Sequence, residues 1–461
     1  MNLIILIPAL ACWVVLARSS AQKALINIWL PSLLLLPQYF YLRFPHLPPL
    51  TFADAAIIPI GVAMLATEMR RWRWDWMDLL VLLFAASAAL SEGLNTLLAN
   101  GALQFIAGIM TIVLPYMAGK LLIEQDGVEK QPGRKMLVRR MVALLAIVAV
   151  ISVNDFITAR NSWQIAFRPF FPPDQLAEVA SNWPMQMRWG FGRIAGPFAH
   201  AILAGMIFLM GLIYCLWLRR YDPQWGSRRL VEGLPVTVRG LAMGAIAAGL
   251  LMTQSRGPWI GVALALVFAL LVRALSWGKA AAVFAVLAAV FSVVAYNYGK
   301  QYTEKKLSQA SDEEQRDVIY RRDLLKNYAP IVMEHKAFGW GISAHPDVNG
   351  QKSIDNDYLM LAVTQGFTGL GLFLAVVAGT VARLFRMAGR PLRPEDRGLV
   401  FAQLAILTGL LTTITTVYLG EQALILFFLM VGWVQGMNPV WVGAGVGDAS
   451  APRYRFQKVL T

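Results

Sequence analysis

Long apolar stretches, separated by short charged breaks, follow one another along almost the whole chain. A bilayer core is crossed by about 20 apolar residues in a helix, because a helix satisfies its own backbone hydrogen bonds. Of the 461 residues, 57% are hydrophobic and 15% are charged, a composition that a soluble domain of this length does not have. The chain is therefore predicted to be an all-α polytopic membrane protein.

The apolar stretches predict a bundle of about 12–14 transmembrane helices. The candidate spans are 2–17, 25–42, 52–68, 78–93, 101–122, 138–158, 196–217, 238–253, 257–274, 280–297, 356–382, 399–417 and 421–437. The last two are so close that they form either a hairpin or a re-entrant pair. The predicted units are N-terminal helices with a first outer loop (1–195), central helices (196–297), a large extracytoplasmic loop (298–355), C-terminal helices (356–437) and a cytoplasmic tail (438–461).

Basic residues predict the orientation of the bundle, because Lys and Arg accumulate in cytoplasmic loops. When the breaks are numbered alternately, one set contains about 26 of the 41 basic residues. We therefore expect the N-terminus outside and the C-terminus in the cytoplasm. The net charge of +14 is then mainly a topology signal. Basic residues spread over so many loops argue against a nucleic-acid partner.

Two predicted outer loops are too long to be simple connections, and ordered loops of this kind usually carry function. The second loop, about 298–355, begins with a helix signal at Ser311-Asp312-Glu313-Glu314, continues to Lys326 and becomes rich in Gly and Asp after Pro330. The first, about 159–195, is aromatic and basic, and its aromatic residues form either an interfacial belt or a surface that stacks on sugars. They are Trp163, Phe167, Phe170, Phe171, Trp183, Trp189 and Phe191.

Four motifs fall at the predicted outer ends of spans. They are the segment from Arg193 to His200, the tight turn Thr253-Gln254-Ser255-Arg256-Gly257, the segment Gly339-Trp340-Gly341 with His345, and Asp355-Asn356-Asp357 followed by Gly366 and Gly369. Each has an ordinary alternative: Arg256 can extend to lipid headgroups from a hairpin turn, and His345 can be a simple loop residue. Asp355 and Asp357 have no third ligand nearby, so we expect no metal site.

Taken together, the motifs favour phosphate chemistry. A guanidinium group at a membrane is costly unless it serves a partner, and its forked donors match phosphate oxygens. Arg193 and Arg256, with Arg321 and Arg322 of the large loop, are candidate ligands of a lipid diphosphate. A nearby His or carboxylate can remove the proton from an incoming hydroxyl.

These motifs resemble those of the O-antigen ligase / Wzy-type polymerase superfamily. Ser255-Arg256-Gly257 resembles its Ser-Arg-Gly signature, and Arg193-x-x-Gly-x-Phe is similar to its earlier arginine motif. The segments 339–341 and 355–369 resemble the closing motif, in which Asn356, Gly366 and Gly369 are retained and Asp355 stands in place of a His. The likeness extends from about residue 190 to about residue 435.

The resemblance implies a membrane-embedded, GT-C-like glycosyltransferase that is metal-independent, needs no cofactor and inverts the anomeric centre. It implies action at the outer face of the bacterial cytoplasmic membrane on an undecaprenyl-diphosphate-linked glycan donor and a glycan acceptor. A chain-length regulator or an export complex is a candidate partner. The family's diphosphate-binding arginines would correspond to Arg193 and Arg256, and Arg321 or Arg322 to a further basic position.

The family His that activates the acceptor in ligases is replaced here, so Asp355, or His345 ten residues earlier, is the candidate base. The replacement of this His by Asp favours a polymerase of exopolysaccharide or O-antigen over a ligase that transfers glycan to lipid A-core of lipopolysaccharide.

A lipid-linked oligosaccharide flippase and a non-catalytic scaffold are the alternatives from other classes. A flippase should have charges at the bilayer midplane and internal repeats, whereas the candidate charges here fall at one surface.

Overall fold

The computed structural model describes residues 2–124, 133–229, 236–287, 313–348, 351 and 353–438. The regular structure of these residues is almost entirely helical, with one short β-hairpin. Among the described residues, six helices are long and apolar enough to cross a membrane, and five shorter apolar helices accompany them. The prediction of an all-α polytopic membrane protein is confirmed.

The helices and strands are labelled in chain order. The helices are α1 Leu3–Arg18, α2 21–35, α3 Phe52–Arg71, α4 Trp76–Asn95, α5 Leu98–Leu122, α6 Gly133–Thr158, α7 Ser162–Phe167, α8 Pro173–Asn182, α9 Ala201–Tyr221, α10 Val238–Met252, α11 Arg256–Ala274, α12 Trp277–Leu287, α13 Glu313–Glu334, α14 Asp357–Ala388, α15 Pro394–Thr413 and α16 Glu421–Gly436. The strands are β1 Met187–Arg188 and β2 Phe191–Gly192.

Each of the predicted spans overlaps one of these helices, and the six longest apolar helices are α3, α4, α5, α6, α9 and α14. The predicted span 25–42 ends early, at Leu35, because Leu36 precedes a proline and is extended. The predicted span 280–297 lies outside the described residues beyond Leu287. The number of spans, about 12–14, stays a prediction.

Ion pairs join the helices at one end of the bundle, here called the Lys120 end. They are Lys120–Asp78, Arg134–Glu124, Arg134–Asp396, Lys135–Glu395 and Arg139–Asp222, with N···O distances between 2.5 and 2.8 Å. The Lys and Arg residues of these ion pairs belong to the region between 120 and 140 that the sequence predicts to be cytoplasmic. α6 has 26 residues and is about 39 Å long. The loop that follows it therefore lies at the opposite end of the bundle, here called the Arg193 end. That the Arg193 end faces outside stays a prediction.

The large loop folds onto the membrane helices through α13. Leu324, Tyr328 and Val332 recur every four residues on one face and pack against Ile354 and the first turns of α14. The predicted helix start at Ser311-Asp312 lies outside the described residues. α13 continues beyond Lys326 and through Pro330 to Glu334.

Candidate active site

A β-hairpin positions Arg193. The two strands are joined by Trp189 and Gly190, both with positive φ (53° and 80°), a backbone that suits a two-residue hairpin turn. Arg193 directly follows the second strand, and its backbone N–H donates to the carbonyl of Gln186 at 2.8 Å. The next residue, Ile194, donates to the carbonyl of Met252 at 3.2 Å. The hairpin is thereby fixed to the end of α10.

The side chain of Arg193 contacts the Ser-Arg-Gly turn. Its guanidinium donates to Ser255 Oγ at 3.1 Å and to the carbonyl of Thr253 at 3.4 Å. A third hydrogen bond goes to the amide oxygen of Gln186. Arg188 of the same hairpin donates to the carbonyl of Gln254 at 3.0 Å. Two motifs that are about 60 residues apart in the sequence therefore form one structure.

The turn itself is compact and almost fully buried. Thr253, Gln254 and Ser255 are each at most 3% exposed, and Gln254 adopts a positive φ of 49°. Arg256 is the first residue of α11 and is half-buried. A Cβ on Gly257 would lie 2.5 Å from Oγ1 of Thr416, so glycine permits the close approach of the segment that joins α15 to α16.

The residues of the closing motif have separate tasks. Asn356 caps α14 by accepting the Leu359 N–H at 3.1 Å. Asp357 accepts the Leu419 N–H at 2.8 Å and so holds the segment between α15 and α16. Asp355 is half-buried and accepts a 2.6 Å hydrogen bond from Ser353 Oγ. The described residues contain no group of three or more His, Cys, Asp or Glu side chains that could hold a metal.

His200 is a site residue to which the sequence pattern alone gave no role. It lines the same small cavity, of about 40 Å³, as Arg193 and Gln186. Burial and the Arg193 charge lower the pKa of His200 to about 4, while the Asp355 carboxylate opposes this shift. Asp355 also raises the pKa of Tyr418, after burial and Glu421. The imidazole is therefore neutral at pH 7.

The two candidate histidines have different hydrogen-bond partners. His200 Nδ1 accepts the Ile202 N–H at 3.2 Å, and its Nε2 lies 3.3 Å from the amide nitrogen of Gln186, so both ring nitrogens face N–H groups. His345 Nδ1 lies 2.8 Å from the Ile342 carbonyl, which can only accept, so this Nδ1 is protonated and Nε2 has a free lone pair. His345 therefore presents an acceptor.

The segment that contains His345 is held by a residue that the sequence pattern did not single out. Glu92, 3% exposed on α4, accepts the backbone N–H groups of Ile342 and Ser343 at 2.6 and 3.1 Å through one carboxylate oxygen. Asn95, one turn further along α4, donates to the carbonyl of Gly339 at 2.9 Å. Neither residue has a distinctive neighbouring motif, so this contact could be found only from the fold.

The glycines of the two later motifs meet at a break in α14. Gly366 has φ 66° and ψ −168°, which interrupts the helix, and the Gly339-Trp340-Gly341 segment fills the gap. Trp340 and Gly341 donate to the carbonyls of Val363 and Thr364, both at 2.9 Å, which would otherwise lose their helical partners. A Cβ on Gly339 would lie 2.5 Å from the Gly366 nitrogen. Gly369 follows in the second part of α14.

The two arginines of the large loop are placed differently from Arg193. Arg321 is half-buried on α13, and Arg322 is exposed and pairs with its neighbour Asp323 at 2.7 Å. The contacts of Arg193 join it to the Ser255 turn, whereas the ion pair of Arg322 is within α13. A role for either in binding diphosphate stays a prediction.

The aromatic loop divides into packing residues and exposed residues. Trp163 is 6% exposed and donates to the carbonyl of Leu35, and Phe171 stacks on Phe40 with ring centroids 4.1 Å apart. Trp189 and Phe191, on the hairpin beside Arg193, are about half exposed. Only the exposed rings are available to a sugar or to lipid headgroups.

Comparison with known proteins agrees with the motifs. No curated protein matches the chain. Residues 241–374 match the family model described as Wzy_C, O-antigen ligase. This segment contains the Ser255-Arg256-Gly257 turn, the glycines at the break in α14, and Asp355, whereas Arg193 and His200 precede it. The predicted resemblance to the O-antigen ligase / Wzy-type family is confirmed over these residues.

Proposed function

We propose that the protein polymerises undecaprenyl-diphosphate-linked oligosaccharide repeat units at the outer face of the bacterial cytoplasmic membrane. Its family implies a membrane enzyme that acts on lipid-linked glycans. The observation that carries the proposal is the contact of Arg193 with the Ser255 turn, beside the cavity that Arg193 shares with His200. In the proposed site, Arg193 and Arg256 bind the diphosphate and Asp355 is the base.

Arg193 and Arg256 would bind the diphosphate of the donor. The hydrogen bonds from Arg193 to Gln186 and Ser255 orient the guanidinium. As the bond to the sugar breaks, negative charge grows on the leaving diphosphate, and fixed donors stabilise it most at that moment. His200 lines the same cavity, and its Nε2 lies 3.3 Å from the amide nitrogen of Gln186, the residue that also accepts from Arg193.

Asp355 would act as the base. Its carboxylate takes the proton of the acceptor hydroxyl while the hydroxyl oxygen bonds to the anomeric carbon. The carbon–oxygen bond to the diphosphate breaks on the opposite face, so the centre is inverted and undecaprenyl diphosphate leaves. Asp355 is preferred to His345 because it occupies the position of the His in the family's closing motif, whereas the contacts of His345 belong to the segment held by Glu92. His345 Nε2 is the alternative acceptor.

Purified protein in lipid nanodiscs, supplied with a lipid-linked repeat unit and no second acceptor, tests the proposal. A ladder of longer lipid-linked glycans is expected. Arg256→Ala should abolish the ladder while the protein stays in the membrane, and Arg219→Ala, at the opposite end, should leave it unchanged. Wild-type extension by the Arg256 variant would remove this residue from the mechanism.

Ligase activity is the second candidate, since the matching family model is described as O-antigen ligase. In the same nanodiscs, a ligase would transfer one glycan to added lipid A-core and would form no ladder without it. The two outcomes are mutually exclusive when only the donor is present.

A further inference from the structure

A groove with about 630 Å³ of space opens at the Lys120 end, between α9, α11 and α15. Its walls are mostly apolar, with Ile213 and Leu216 from α9, Val272 from α11, and Phe401 and Ala405 from α15. Arg220 and Arg397 lie at its mouth. The groove is at the opposite end of these helices from Arg193 and His200, so it is separate from the candidate active site.

The three helices touch closely near the Arg193 end. There, a Cβ on Gly205 of α9 would lie 2.6 Å from the ring of Pro258 in α11. A Cβ on Gly261 of α11 would lie 2.7 Å from the carbonyl of Gly409 in α15. The groove lies beyond these contacts, toward the Lys120 end, and its basic mouth is at that end.

Aromatic side chains line the mouth beside the two arginines. Trp217 donates its indole N–H to the carbonyl of Glu395 at 3.4 Å and lies 6.2 Å from the ring of Tyr221. Tyr221 lies directly over Gly398, where a Cβ would be 2.1 Å from the ring. Trp and Tyr prefer the boundary between the apolar core and the headgroups of a bilayer. The mouth therefore lies at headgroup depth.

The charge at the mouth is positive because the nearby carboxylates already bind other cations. Asp222, two residues after Arg220, pairs with Arg139 at 2.5 Å. Glu395 and Asp396, just before Arg397, pair with Lys135 and Arg134. All three acids are thus bound to α6, and the charges of Arg220 and Arg397 are added to a neutralised surface.

We propose that this groove binds one anionic glycerophospholipid from the leaflet at the Lys120 end. The guanidinium groups of Arg220 and Arg397 would bind the phosphate, for which their forked donors are suited. One acyl chain would follow the apolar wall past Ile213 and Ala405 toward the point where the helices converge. Basic pockets between transmembrane helices recognise anionic headgroups in this way. The lipid fills the groove and contacts α9, α11 and α15.

Native mass spectrometry of the full-length protein, released from nanodiscs of phosphatidylglycerol or phosphatidylcholine, tests the proposal. One retained phosphatidylglycerol per protein is expected, with retention about tenfold stronger than for phosphatidylcholine. Arg220→Gln with Arg397→Gln should remove this preference. Arg219→Gln with Arg393→Gln is the matched control, because both residues are exposed, lie on the same helices or their caps, and are outside the groove.

A third variant separates headgroup recognition from filling of the groove. Ala269 lines the groove from the exposed side of α11, so Ala269→Trp should expel the lipid without removing a charge. Equal retention of the two lipids by the wild-type protein would overturn the proposal and indicate ordinary annular lipid. An equal loss in the control double variant, or full retention in Ala269→Trp, would also overturn it.

Discussion

The two ends of the helix bundle hold their cations in different ways. At the Lys120 end, Lys120, Arg134, Lys135 and Arg139 bind carboxylates directly. At the other end, Arg193 donates to an amide oxygen, a hydroxyl and a carbonyl. The ion pairs of the Lys120 end join helices. The hydrogen bonds of Arg193 orient its guanidinium beside the Ser255 turn, where we propose that it binds an anionic substrate.

The comparison predicts that substitutions at the Arg193 end change turnover, and that substitutions at the Lys120 end change stability. Both readouts are therefore measured for every variant, as glycan extension per folded protein and as the free energy of unfolding or the Tm in detergent.

Asp355→Asn is expected to have the largest effect. The amide has nearly the same shape and can still accept from Ser353, but it cannot take a proton, so extension should fall about 1000-fold. The Tm should stay close to that of the wild-type protein. Extension at the wild-type rate would assign the base elsewhere, and His345→Gln would then be the variant that loses activity.

Arg134→Gln tests the assignment of the Lys120 end to stability. It leaves Glu124 and Asp396 without their shared cation in a largely buried position, which costs about 3 kcal/mol of unfolding free energy. Extension per folded protein should be unchanged. A variant with normal stability but low turnover would contradict the assignment of this end to structure.

Arg193→Lys keeps the positive charge but loses the forked donors. Turnover should fall about 100-fold, because an ammonium group lacks the planar fork that binds two phosphate oxygens side by side. Arg134→Lys serves as the matched exchange at the Lys120 end and should keep full turnover. Equal turnover of Arg193→Lys and the wild-type protein would show that only charge matters at this position.

His200→Asn separates two tasks of one side chain. The Asn oxygen can still cap α9 by accepting the Ile202 N–H, but the ring and the contact of its Nε2 with the Gln186 amide are lost. Turnover should fall about tenfold with little change in Tm. His200→Ala removes both functions and should also lower the Tm. If His200→Asn is fully active, His200 serves only as a cap.

The pH dependence of stability is the smallest expected effect. The pKa of His200 is lowered to about 4 in the folded protein, so the unfolded chain binds more protons between that pH and the ordinary pKa of histidine. Stability should therefore fall as the pH is lowered from about 6.5 to 4. His200→Asn should show a weaker loss over this range in pH-dependent thermal unfolding.

The apolar pattern predicted most of the helices, because hydrophobicity and length decide which segments cross a membrane. The contact between Arg193 and the Ser255 turn was predicted only in outline, from motifs that resemble those of a family. Glu92 and His200 were missed as site residues because their roles depend on contacts between distant elements: Glu92 accepts from Ile342 and Ser343, and His200 shares a cavity with Arg193. The helix through Pro330 was missed because packing outweighs propensity: Val332 is buried and Trp340 donates to the Ile331 carbonyl.

The interruption of α14 at Gly366 has a consequence for engineering. Residues 336–341 complete the hydrogen bonding of 363–368, so the connection above the membrane is also an internal part of a membrane helix. Exchanging the large loop between relatives requires that both partners of this junction be transferred together. A hybrid that carries one half alone would expose unpaired peptide groups where no water is available to replace them.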